Sequence, residues 1–196
     1  MKKIFSVAVL IFALMLTACG AEKVSPAEDV NTLCKAFLHF DEAALNKVGW
    51  TPEDYEKQFI AEFTKSFTES SGVNFTAEQI AKINDAVKAA FKRSTFKTET
   101  VSENENAATV RITVSTFEKL DETFITSKLP ANIYEMSETE RIDAVANAIA
   151  AALNDLQIVG DSVFTVDCEY NEQAKMWLPV QMQEFGFTLA TKIFAF

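Results

Sequence analysis

A chain of 196 residues and 21.8 kDa has room for one ordinary domain and a targeting segment. Hydrophobic residues at 48% against 23% charged exclude a disordered chain, and 5 Gly with 4 Pro exclude collagen-like or linker-rich character. Formal net charge is −10; the first 18 residues hold Lys2, Lys3 and no acid, so the remainder carries −12. A surface that acidic repels phosphate backbones and argues against a nucleic-acid partner.

Lys2-Lys3 form a basic start, and Ile4 to Leu16 is apolar apart from Ser6. A membrane-spanning helix needs about 20 apolar residues, so this shorter run reads as a signal peptide over residues 1–18. Leu16-Thr17-Ala18-Cys19 places an aliphatic residue and two small ones before a cysteine. That motif resembles the lipobox of bacterial lipoprotein precursors; a plain secreted protein with a chance cysteine is the alternative. The resemblance implies cleavage after Ala18 and lipidation of Cys19 by diacylglyceryl thioether and palmitate-type chains. It also implies a lipid-anchored protein on the extracytoplasmic side of the cell membrane or outer membrane. Gly20 follows the cysteine, where an aspartate would favour inner-membrane retention in Gram-negative members of the class. Residues 19–24 are then lipidated cysteine and tether. Gly20 to Val24 reaches at most about 18 Å, so the domain sits close to the membrane.

Residues 25–196 read as a single domain. Ser25-Pro26-Ala27-Glu28 is a capped helix start, followed by Val30, Leu33, Cys34, Phe37 and Leu38 at helical spacing. The spacing predicts a helix over 26–40. Thr51-Pro52-Glu53-Asp54 opens a second helix, in which Tyr55, Phe59, Phe63 and Phe67 form one row at i+4 spacing. Thr76-Ala77-Glu78-Gln79 opens a third, with Ile80, Ile83, Val87, Ala90 and Phe91 inward.

The period then changes. Phe96 to Val101 and Thr109 to Phe117 alternate around the polar turn Glu103-Asn104-Glu105-Asn106, which predicts a β-hairpin. Residues 118–136 fit a strand extension or a short helix. Ser137-Glu138-Thr139-Glu140 opens a helix over 137–156, with Gly160 just past its end. Val163 to Tyr170 and Met176 to Met182 form a second hairpin, and Pro179 confines the last strand to an edge or bulge. The tail after Met182 reads as a helix, with a strand through Phe185, Phe187 and Leu189 as the alternative, packed on the core or an edge. The fold class is therefore α+β: N-terminal helices on an antiparallel sheet of about four strands, with a further helix between the hairpins. One sheet face should be covered by helices.

The Ser-Pro-x-Glu opening, a first helix ending in Phe40-Asp41 and the late Thr/Val-rich hairpin resemble small bacterial lipoproteins with a nuclear-transport-factor-2-like or cystatin-like domain. The helix over 137–156 departs from the simplest form of that fold. The resemblance supplies no catalytic motif.

Candidate chemistry is sparse. His39 is the sole histidine and falls opposite the first helix's apolar stripe, so it is expected on the surface. One histidine excludes His-rich zinc or copper sites, and no calcium-loop, phosphate-loop or nucleophile-elbow motif occurs. No metal and no cofactor is expected. Cys34 and Cys168 both fall on inward faces; outside the cytoplasm they can form a disulfide or stay as two buried thiols. The row Tyr55, Phe59, Phe63, Phe67 is core packing, the wall of an apolar cleft, or a partner-facing groove.

These features favour a non-catalytic binding or interaction module, anchored in the envelope, for an apolar ligand or an envelope protein. A small enzyme with a buried carboxylate of raised pKa and a purely structural lipoprotein are the alternatives.

Overall fold

Capping residues set where the helices begin. The computed structural model describes residues 23–70 and 72–194. The Ser25 side chain accepts from the Glu28 N–H and Glu28 reaches back to the Ser25 backbone, closing a box at the head of α1 (Pro26–Cys34). Thr76 with Gln79 does the same for α5 (Ala77–Arg93), and Ser137 with Glu140 for α7 (Glu138–Asp155). Each cap contributes about 1 kcal/mol by satisfying an otherwise unpaired N–H. Asp41, Thr51 and Asp121 cap the short helices α2 (Glu42–Lys47), α3 (Pro52–Tyr55) and α6 (Glu122–Thr126). The remaining helices are α4 (Ala61–Ser70) and α8 (Met182–Ile193).

Four strands make one antiparallel sheet in the order β1 (Phe96–Glu103), β2 (Ala107–Phe117), β3 (Ile158–Asn171), β4 (Met176–Pro179). Architecture and class are those read from the sequence, with α7 between the two hairpins. Pro179 ends the edge strand β4, opposite Cys168. β4 covers β3 only over Cys168–Asn171, and Val180 N–H adds one bond to the Asp167 carbonyl. Upstream of that, β3 meets no further strand on that side among the described residues.

One sheet face is the core. Ala108, Val110, Ile112 and Val114 of β2 are buried on it, while Arg111 on the opposite face pairs with Glu99 of β1. Helices cover the core face. α1 is bound to β1 through Ala27, whose N–H donates to Thr100 Oγ1 and whose carbonyl accepts from Thr98 Oγ1. α5 and α7 run parallel: Gln79 donates to Asp143, Lys82 to Asn147, and Arg93 to the carbonyls of Leu153 and Leu156. Arg93 thereby satisfies the open carbonyl end of α7 with a cation, which the helix dipole favours. Phe194, just after α8, wedges between Phe91 and Phe117 at ring distances of 5.2 and 5.8 Å. The tail is thus core.

Three local expectations are corrected. α1 does not continue as an α-helix to residue 40. Lys35–His39 form a π-helical turn, and Phe40 ends it in the left-handed region at φ 55°. A second π turn, Glu56–Ile60, separates α3 from α4. Gly160 does not mark the end of α7. It lies inside β3 opposite Thr116, because Ile158 and Val159 already belong to the strand.

Candidate interaction site

The wider turn of a π helix inserts one residue into the register. Among the described side chains of these helices, Tyr55, Ile60, Thr64 and Thr68 are buried, spaced by five once and by four afterwards. The side chains of Phe59, Phe63 and Phe67 lie outside the described set.

Tyr55 itself joins the two π-helical segments. Its hydroxyl donates to the Phe37 carbonyl at 2.7 Å, within the π turn that follows α1. Its ring packs edge-on against Phe37 and Phe40 at 5.6 and 5.5 Å, and lies 5.7 Å from Trp50. Phe37 in turn meets Phe185 of α8 at 5.8 Å. Burial raises the Tyr55 phenol well above its ordinary pKa. This cluster is a packed joint between helices, so Tyr55 is core.

Cys34 and Cys168 are both buried, as their stripes indicated, and both are free thiols. Of the two readings left open by the sequence, the structure holds the pair of separate thiols. Burial pushes each up to about 12, with Asp167 and Asp29 adding to the effect at Cys168. His39 is half-buried, contrary to the surface position expected from 100° per residue. The π turn rotates it inward, where Nε2 lies 2.9 Å from the Ser94 carbonyl and the ring 5.1 Å from Phe96.

Two features escaped the sequence reading. One is the docking of the segment before α1. Trp177 Nε1 donates to the Val24 carbonyl at 3.1 Å. Lys23 Nζ lies 4.0 Å and 4.4 Å from the ring centres of Tyr170 and Trp177 and donates to the Glu105 carbonyl. Lys23 and Val24, read as free tether, belong to the folded domain. Cys19 and the rest of residues 1–22 lie outside the described set.

The other is a concavity of about 420 Å³, open to solvent, between α7 and the segment that precedes it. Ala144, Ala148 and Ala151 form its floor, Pro130 and Met136 its apolar wall, and Lys128, Glu140, Asp143 and Asn147 its polar rim. The alanine-rich face of α7 was its one signal in the sequence, because small residues leave room above a helix. Tyr134, 89% exposed, stands two residues from Met136.

The polar groups of the rim are held by neighbouring side chains and by a helix cap. Asp143 accepts from Gln79 Nε2 at 2.7 Å and Asn147 from Lys82 Nζ at 2.6 Å. Glu140 is held below the usual carboxylate range by its hydrogen bonds from the Ser137 side chain and backbone. A general acid at neutral pH needs the opposite shift. Asp29, the fully buried carboxylate, is occupied by Lys47 and the Trp177 N–H. Among the described residues no group of three His, Cys, Asp or Glu side chains is arranged for a metal ion. No helix among them is long and apolar enough to cross a membrane.

No family model matches the sequence, and no curated protein matches it. A solved structure of similar fold is that of a Bacillus subtilis protein described as a "putative lipoprotein (ycdA)", with a TM-score of 0.67 at 14% identity. The match covers 86% of this chain and 55% of the Bacillus chain, so this chain corresponds to about half the length of that protein. At that identity the likeness concerns the fold.

Proposed function

We propose that this chain is a lipid-anchored protein of the bacterial cell envelope whose domain is a non-catalytic binding or interaction module. The observation that carries the anchor is Leu16-Thr17-Ala18-Cys19 behind a short apolar run. The fold neighbour's description as a lipoprotein agrees with it. Diacylation of Cys19 supports stable attachment, because each buried CH₂ contributes about 0.8 kcal/mol and two chains hold firmly. The nuclear-transport-factor-2-like or cystatin-like affiliation belongs to this same reading.

The module's binding surface is the concavity on α7, for an apolar ligand or an apolar side chain of an envelope protein. Its apolar floor and polar rim are the composition of small-ligand sites. The lowered Glu140 supports binding over acid-base catalysis.

Expression of the full chain in a bacterial host with an alkyne-tagged palmitate tests the anchor. The wild type is expected to take the label and enter the detergent phase on phase separation, and Cys19→Ser to do neither. An unlabelled wild type overturns it. For the module, native mass spectrometry of the detergent-extracted protein should show a retained ligand or partner that Ala148→Trp loses. Retention of the same mass by Ala148→Trp removes the concavity from the proposal.

A further inference from the structure

We infer that the turn end of the sheet is the surface that rests on the bilayer, so that the domain stands on the membrane in one orientation. The occupant of that surface is the phospholipid headgroup layer. The inference rests on lipidation of Cys19 and adds to it where the domain points.

The geometry comes from where the described chain begins. Val24 is held by Trp177 of β4, and Lys23 by the rings of Tyr170 and Trp177 and by the Glu105 carbonyl. Ala27 is pinned to Thr98 and Thr100 of β1, and Asp29 to the Trp177 N–H. Three of the four strands therefore grip residues 23–29: Lys23 and Val24 sit at the end where β1 turns into β2 and β3 into β4, and Ala27 lies further along β1 towards the middle of the sheet. Four residues from Cys19 to Lys23 reach at most about 14 Å. The lipid must lie within that distance of Lys23, whose side chain reaches the Glu105 carbonyl in the first turn. At about 3.4 Å per residue along the 11 residues of β2, the far end is some 35 Å further away.

The turns suit a headgroup layer and not hydrocarbon. Residues 103–106 and 171–175 are all exposed, and none is a large apolar side chain. Both turns are braced from within. Asn104 Oδ1 accepts from the N–H groups of Asn106 and Ala107, and Asn171 Oδ1 from those of Gln173 and Ala174. The Tyr170 N–H donates to the Asn106 carbonyl, locking one turn to the strand beside the other. A braced end on a short leash leaves little angular freedom.

The test uses the full, processed chain in phosphatidylcholine vesicles that carry a headgroup nitroxide. Single cysteines are introduced at the turn end, Glu105→Cys and Gln173→Cys, and at the far end, Lys119→Cys and Val159→Cys, and each is labelled with a fluorophore. Cys34 and Cys168 are buried and stay unlabelled in the folded protein. Flotation with the vesicles reports anchoring separately from orientation. A floating protein should show quenching at least about fivefold stronger at the turn end, given the length of β2. Equal quenching at both ends, or stronger quenching at the far end, in a protein that floats overturns the orientation alone. A chain that does not float overturns the anchor and the orientation with it. Twelve Gly/Ser residues inserted after Gly20 add about 40 Å of reach and should abolish the difference. A difference that survives the insertion overturns the short leash as its cause.

Discussion

Asp29 and Trp177 lie 148 positions apart in the chain and meet at 2.9 Å, carboxylate oxygen to backbone N–H. The other oxygen of Asp29 takes the Lys47 ammonium at 2.9 Å. One fully buried carboxylate thus fastens α1 to β4 and α2 together. Removing one partner of a buried charged pair costs about 3–5 kcal/mol. Lys47 is 44% exposed and solvent screens its share, so Asp29→Ala is expected to cost about 2–3 kcal/mol in urea unfolding. Asp29→Asn keeps an acceptor for the Trp177 N–H and should cost about 1 kcal/mol. Equal losses for the two variants would show that the acceptor is not what matters.

Thr64 is fully buried and its hydroxyl has no hydrogen-bond partner among the described residues. Valine has the same branched shape without the unpaired oxygen. Thr64→Val is expected to stabilise the domain by about 1 kcal/mol, seen as a higher thermal midpoint. A lower midpoint would mean that the hydroxyl has a role in the folded state.

The two thiols should be silent. A thiol held near 12 is almost entirely protonated at neutral pH, and the thiolate is the reactive form. Ellman's reagent at about pH 8 is expected to react with neither in the folded domain and with two in denaturant. The intact mass of the domain should be unchanged by reduction. A 2 Da gain on reduction would reveal a bridge.

Tyr55, Cys34 and Cys168 share a sign. Each is a neutral acid whose folded pKa is raised above its unfolded value. The stability tied to each is full below the unfolded pKa and is lost as pH rises toward the folded one. The domain should therefore weaken above about pH 8.5, at up to about 1.4 kcal/mol per pH unit for each group. Tyr55→Phe loses the bond to the Phe37 carbonyl, costs about 1–2 kcal/mol at neutral pH, and should flatten the slope above about pH 10. An unchanged alkaline slope in that variant would remove Tyr55 from the explanation.

Much of the fold was legible because it is written in local chemistry. Ser25, Thr76 and Ser137 mark helix starts by their own hydrogen bonds, and the structure begins α1, α5 and α7 one residue after each. Alternation over residues 96–117 and 163–170 marks β1, β2 and part of β3, and Pro179 marks an edge. The π turns left no such mark. One extra residue in a turn changes no composition, yet it displaces every later side chain by a step. That is why His39 turned inward and why Tyr55 and Ile60, five positions apart, are both buried. The site was less legible still. Val24, Lys23 and Trp177 meet only after the whole chain has folded, and the alanines of α7 read as ordinary helix residues. Asp29 looks like any acid in a first helical turn until β4 arrives beside it.

The short β4 has a consequence for crowding. The lipid anchor proposed at Cys19 would confine copies to a plane, where neighbours collide edge to edge far more often than in solution. Upstream of Asp167, β3 presents an edge without a neighbouring strand, and Val159 and Val163 are exposed there. Such an edge invites a second copy to pair with it. An antiparallel pairing centred on Phe164 would set Asp161 of one copy directly against Asp167 of the other, twice per contact. Like charges directly opposite destabilise a strand pair. In that register the two aspartates would hold copies anchored on one surface apart.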